Sequence, residues 1–261
     1  MATCYKNFPL IVTYGDATSD TIYGNSASLS ENLELQHAAS FGLKGETAVF
    51  NTSVPKGNLS VESYVMEDLT NFNNLKGSND QNITIQFGPY NCPAPCVLSS
   101  MSININVGEP VTVSRQFDYF GSATSGAAPA PGSPTVSPVV PESVGFVGFD
   151  QISGSANIKR ISWNFTQSYQ DHNLIGERVP LIVFDQGQIE LTIEGDNLTI
   201  PLLSGDSSTC VIPPKAYTLS LSGCNGENLG TLSLTGYMQS RDASVSADDP
   251  ETNSVSIIQY L

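Results

Sequence analysis

GSATSGAAPAPGSPTVSPVVPES, residues 121–143, divides this chain in two. It carries five prolines and a single charge, Glu142, and a stretch of that composition reads as an extended, semi-rigid spacer that packs no core. Nearly equal lengths of chain lie on either side. The expected organisation is therefore two domains, residues 1–120 and residues 144–261, joined by a linker over residues 121–143. Deleting residues 129–141 is expected to leave both domains folded while disturbing their assembly.

Working outward from the linker, the flanks match each other in order. Glu31-Asn32-Leu33-Glu34-Leu35 lies opposite Ile161-Ser162-Trp163-Asn164-Phe165, Leu43-Lys44-Gly45-Glu46 opposite Leu174-Ile175-Gly176-Glu177, and Gly57-Asn58-Leu59-Ser60-Val61 opposite Gly187-Gln188-Ile189-Glu190-Leu191. Next, Glu67-Asp68-Leu69-Thr70 faces Asp196-Asn197-Leu198-Thr199, and Ile83-Thr84-Ile85-Gln86-Phe87 faces Tyr217-Thr218-Leu219-Ser220-Leu221. Residues 98–103 then meet 229–234, and Arg115-Gln116-Phe117 meets Ile258-Gln259-Tyr260. An order kept at a shift of about 130 residues points to internal duplication.

Apolar residues alternate with polar ones through most of these segments, the pattern of a half-buried strand. Strands are expected over 29–36, 49–50, 59–65, 83–87, 98–107 and 111–119 in the first domain, after a short apolar run at 8–14. In the second they are expected over 158–169, 181–184, 188–193, 217–221, 229–238 and 254–260. The period changes at residues 67–75, where Leu69, Phe72 and Leu75 recur every third position behind acidic residues, so a short helix is expected there. Its counterpart near 198–203 contains Pro201 and must be shorter. The fold class is all-β with one short helix per domain, as two tandem β-sandwich or half-barrel domains. Expected core residues are Leu33, Leu35, Val61, Ile85, Phe87 and Ile103, then Trp163, Phe165, Leu191, Leu219, Leu221 and Leu234. Residues 239–253 are acidic, lack the alternating oxygen ligands and closing Glu of a calcium loop, and read as a solvated loop.

Composition narrows the function. Of 261 residues only 13% are charged, ten of them Lys or Arg, and the net charge is −15, which excludes a surface that binds nucleic acid by neutralising phosphates. No eighteen residues run continuously apolar and the N-terminus lacks signal-peptide features, so a soluble protein made in a cytoplasm is expected, with no membrane partner. Sequons at Asn51, Asn58, Asn82, Asn164 and Asn197 reflect Asn and Thr richness, and no glycan is expected. Cys4, Cys92, Cys96, Cys210 and Cys224 form no metal-binding spacing. The Cys92-Pro93-Ala94-Pro95-Cys96 segment reads as two thiols in a turn, with an internal or intersubunit disulfide as the alternative. His37 and His172 are the two histidines. No GxSxG, HExxH, P-loop or GxGxxG motif occurs, so no enzyme, catalytic residue, cofactor or metal is expected.

In each half, paired strands, a Gly-centred turn, one short helix after Val61 or Leu191, and closing strands together resemble the tube domain of tailed-bacteriophage tail tube proteins and related baseplate hub and tail-tip proteins. That resemblance implies a β-sandwich or half-barrel that joins its neighbours edge to edge in a ring, stacked into a channel for DNA. It implies a virion protein whose partners are copies of itself and other tail proteins. Rings of single tube domains are commonly sixfold in that family, so tandem domains imply a pseudo-sixfold trimer ahead of a hexamer. An acidic channel wall would let DNA pass without specific binding, and plain solubility is the equal alternative reading of the acidity. A receptor-binding or decoration protein built from β-sandwiches is the alternative, and oligomeric form discriminates the two.

Overall fold

A computed structural model of the chain describes residues 9–33, 35–38, 48–51, 54–69, 72, 83–130, 134, 136–148, 157–174, 177, 179–198, 214–245 and 251–261. The described first half comprises β1 (Leu10–Thr13), β2 (Ser19–Ile22), β3 (Gly24–Asn32), β4 (Leu35–Ala38), β5 (Ala48–Asn51), β6 (Lys56–Tyr64), β7 (Ile83–Phe87), β8 (Tyr90–Asn106), β9 (Thr112–Phe120) and β10 (Thr124–Ser125). The second comprises β11 (Val139–Val147), β12 (Ile158–His172), β13 (Leu181–Asp196), β14 (Lys215–Gly223), β15 (Asn228–Ser244) and β16 (Thr252–Tyr260). All but β4 and β5, which pair with each other, join one 14-stranded sheet, and every pairing is antiparallel.

The all-β class holds. Within the helix expected over 67–75, Glu67–Leu69 are irregular and Phe72 is helical; the rest of it, and that near 198–203 beyond Leu198, lies outside the described residues. Core expectations hold for Val61, Ile85, Ile103, Trp163, Phe165, Leu191, Leu219, Leu221 and Leu234, all 4% exposed or less. Phe87 packs partly buried against that core. Leu33 is a correction: it lies just past the end of β3 and is exposed, because the strand expected over 29–36 stops at Asn32 and the alternation of its sequence loses a sheet to face. The side chain of Leu35 lies outside the described residues.

Two long strands fold the sheet back on itself. Residues 90–96 of β8 pair with β7, while residues 96–104 pair with β9. In the same way residues 228–236 of β15 pair with β14, and residues 237–244 pair with β16. Register shifts at 98/100 and 238/240 mark the change of partner, where a bulge bends the strand and increases its twist. Residues expected as a solvated loop are thus strand as far as Ser244, and the two short strands expected at 181–184 and 188–193 are one, β13.

The pairing order is the same in both halves. It reads β1-β7-β8-β9-β6-β3 in the first and β11-β14-β15-β16-β13-β12 in the second. Not every residue match from the sequence survives that comparison. With Val61 set against Leu191, their partners on β9 and β16 are Arg115 and Ile257, one residue from the match expected. Ala27 then corresponds to Trp163, a shift of six from the expected alignment of these strands. Residues 98–103 pair with β9, whereas 229–234 pair with β14, so these two are not counterparts.

The halves are not strung apart by a spacer. Val139 is fully buried; its carbonyl accepts from Val111 N at 2.9 Å and its N–H donates to Val65 O at 3.0 Å. Residues 139–143, expected in the linker, begin β11. They are apolar enough to be drawn in: Val139 and Val144 sit in the same contiguous core as Leu10, Val61, Trp163 and Leu219. Across the join, Phe72 meets Trp163 and Phe165 edge to face at 5.5 and 5.7 Å, a geometry that aromatic quadrupoles favour.

Candidate functional site

Residues directly opposite in antiparallel strands project to the same side, so the register identifies a continuous face. Eight strands run edge to edge in the order β3-β6-β9-β8-β12-β13-β16-β15, with β8 and β15 contributing their C-terminal parts. One side of this sheet is the core: Leu59, Val61, Val113, Phe117, Ile103, Trp163, Leu191 and Ile257 are all 2% exposed or less. The other side is polar.

That polar side carries Ser26 and Ser28, Ser60 and Glu62, Ser114 and Gln116, Ser102 and Asn104, Ser162 and Asn164, Glu190 and Glu194, Ser254 and Ser256, then Ser240 and Asp242. Short hydroxyl and amide side chains bond along it. Ser102 Oγ donates to Asn164 Oδ1 at 2.8 Å, Ser162 Oγ to Asn104 Oδ1 at 3.1 Å, and Ser256 Oγ to Glu190 Oε1 at 2.7 Å. Such ladders hold side chains flat on the sheet and satisfy groups that would otherwise reach for a ligand.

Charge on this face is lopsided. Glu62, Asp118, Glu190, Glu194, Asp196 and Asp242 supply carboxylates; Lys56 and Arg160 share that side by register, and Lys159 of β12 reaches Asp196 at 2.6 Å. Lys56 is held by Asp171 at 3.7 Å and by the rings of Phe120 and Tyr169 at 5.3 and 5.0 Å. Burial, then the 2.8 Å hydrogen bond to Asp118, push the Tyr169 phenol well above its ordinary range. Beside this group a cleft of about 580 Å³ lies between β3, β6, β9 and the end of β12, lined by Glu31, Asn58, Asp118 and Asp171 among others. A phosphate approaching this face meets mostly carboxylates, and no row of cations is present on it to release counterions.

Among the described residues no three His, Cys, Asp or Glu side chains are placed to hold a metal. His172 ends β12, exposed, and His37 lies on β4, which pairs with β5 and is not one of the eight strands. Cys92 and Cys96 are not in a turn. They lie within β8 as buried free thiols, and burial raises both, Cys92 to about 12. Cys224 is an exposed free thiol, and Cys4 and Cys210 lie outside the described residues.

Sequence reasoning missed residues 239–244 as part of this face. The alternation of Ser240, Asp242 and Ser244 was there to find, but with a charge at Arg241 and only the small Ala243 on the intervening positions it reads as loop. No protein-family model and no curated protein matches this sequence.

Proposed function

We propose that this chain is a structural protein of a tailed-phage virion, a tail tube or tail-tip component whose copies close into a ring around an acidic channel for DNA. The observation that carries the reading is the eight-stranded sheet: one side is core, the other a polar face with six carboxylates against three cations, one of which, Lys159, is paired with Asp196. A sheet of this kind is complete as a wall and incomplete as a barrel, since it still has two edges.

Size favours three copies. Three such sheets make a 24-stranded barrel, about 37 Å across the backbone at a strand spacing of ~4.8 Å before tilt widens it, a bore that passes a DNA duplex. Six copies double that width. The acidic lining lets DNA slide, because the cation contacts that give non-specific binding are missing from it. Stacked rings and other tail proteins are the remaining partners, and neither a cofactor nor a membrane enters the proposal.

Native mass spectrometry together with negative-stain imaging of the purified protein tests it. Three chains in a ring with a central hole support the tube reading, and six require a wider channel or one half placed outside it. A monomer at high concentration, or a fibre-like trimer with distal loops, overturns it in favour of a receptor-binding or decoration protein.

A further inference from the structure

The eight strands end in two open edges. Among the described residues β3 bonds only to β6, and residues 237–244 of β15 bond only to β16. In the pairing order shared by both halves, β3 stands where β12 does, and the C-terminal part of β15 stands where that of β8 does. Yet β8 and β12 are bonded to each other, Ser102 opposite Asn164, Ile103 opposite Trp163 and Asn104 opposite Ser162. The chain therefore contains one worked example of a joint whose two components recur, unjoined, at its ends.

The recurrence extends to residues. Through their partners on β9 and β16, Ser102, Ile103 and Asn104 correspond to Ser240, Arg241 and Asp242. Through β6 and β13, Ser162, Trp163 and Asn164 correspond to Ser26, Ala27 and Ser28. We propose that residues 237–244 of one copy pair antiparallel with β3 of the next copy, with Asp242 opposite Ser26, Arg241 opposite Ala27 and Ser240 opposite Ser28. This rests on the ring reading above and names the two edges and the register that close it.

Chemistry at the two edges fits that register. The internal joint has a polar ladder, Ser102 with Asn164 and Ser162 with Asn104, and the transposed pairs, Ser240 with Ser28 and Ser26 with Asp242, rebuild it with a donor for each acceptor. On the core side, Met238 and Leu29 are both partly buried against the core at their own edges, and the bulge at 238/240 brings them opposite each other. The side chains differ where they should for a joint that must exist open before it closes. Trp163, Ile103 and Met101 are buried inside the chain, whereas Ala27 is small and Arg241 and Asp242 place charge on the edge, a device that discourages indiscriminate strand pairing.

Cysteine pairs test this in a chain whose Cys4, Cys210 and Cys224 are replaced by Ser; the buried Cys92 and Cys96 stay. Ser28→Cys with Ser240→Cys is expected to form, on mild oxidation, covalent closed oligomers on a non-reducing gel. The yield should be about tenfold above that of the off-register pair Ser28→Cys with Asp242→Cys. Ser102→Cys with Asn164→Cys places the same bond inside one chain, and its formation reports both that the fold holds and that the geometry accepts a disulfide. Rings in native mass spectrometry with the internal bond formed but no bond between copies overturn the edge assignment and leave the ring standing. Equal linking of the off-register pair overturns the register. Absence of any oligomer overturns the pairing and the ring together.

Discussion

At one register position the first half buries a charge and the second a hydrocarbon. Arg115 on β9 stands opposite Val61, and Ile257 on β16 stands opposite Leu191. Arg115 is 5% exposed, ion-paired with Glu67 and bonded to Ser63 Oγ at 3.2 Å; Ile257 is fully buried among its neighbours. The same sheet order accommodates both, so the ion pair is not what makes the fold. Its role is local: it ties Glu67, in the irregular segment after β6, to the underside of β9. A hydrocarbon would fill the space without fixing that segment's position.

The two halves also differ in how their outer strands are secured, and the largest expected effect lies there. β11 depends on Val139, which bonds into the first half, while among the described residues β1 is joined only to β2 and β7. Deleting residues 129–141 is now expected to cost about 5 kcal/mol or more, from lost burial and orphaned backbone groups. Deleting residues 129–135 is expected to cost little. Urea unfolding of both chains separates these outcomes, and equal stability would mean that Val139 is not a shared anchor.

Next in size is the joint itself, where Trp163 holds the place that Ala27 holds at the open edge. Trp163→Ala makes the inner joint resemble the outer one and should cost about 3–5 kcal/mol in denaturant unfolding. Glu67→Ala should approach the same figure, about 3–5 kcal/mol, because Arg115 is left buried without its partner. Adding Arg115→Met to a Glu67→Leu chain should restore most of that loss, as the Ile257 position implies. If the double variant stays as unstable as the single, the two halves are not interchangeable there.

A finer contrast lies between two buried glycines. A side-chain carbon at Gly57 would lie 2.0 Å from the ring of Tyr119, whose hydroxyl is fixed to Glu31 at 2.9 Å. At Gly187 it would lie 2.6 Å from Gln167 Oε1, the end of a flexible side chain. Gly57→Ala should therefore cost about 1–3 kcal/mol and Gly187→Ala less. Thermal melts of the pair decide it.

The smallest effect is one of pH and belongs to the first half. Burial, then the 2.6 Å hydrogen bond to Asp20, raise the Tyr14 phenol above its ordinary value of about 10. A group raised on folding contributes stability that is whole below its unfolded value and fades as pH climbs beyond it, so stability should fall above pH ~10. Tyr14→Phe should lose about 1 kcal/mol at neutral pH and show a shallower alkaline decline in urea titrations. An unchanged slope would assign the decline to Tyr119 and Tyr169, which burial raises in the same direction.

Alternation of apolar and polar residues made the strands of β6, β7, β9, β12 and β16 legible, because each buries one face on one core and its period of two is written locally. It also made Trp163, Phe165 and Leu191 legible as core. The polar face was visible only as composition: Ser, Asn and Glu abound, yet which of them share a side depends on register, and a register is a relation between distant segments. The same limit explains the expected linker, residues 121–143. Its prolines mark a spacer, but Val139 and Val144 become core because β14 and the turns after β6 and before β9 happen to lie beside them. The sequence by itself determined the strand class and the acidic sign of the net charge. Tertiary structure alone decided that β8 joins β12 and that, among the described residues, β3 and the C-terminal part of β15 each keep one open edge, since edge pairing is set by backbone groups that every residue carries alike.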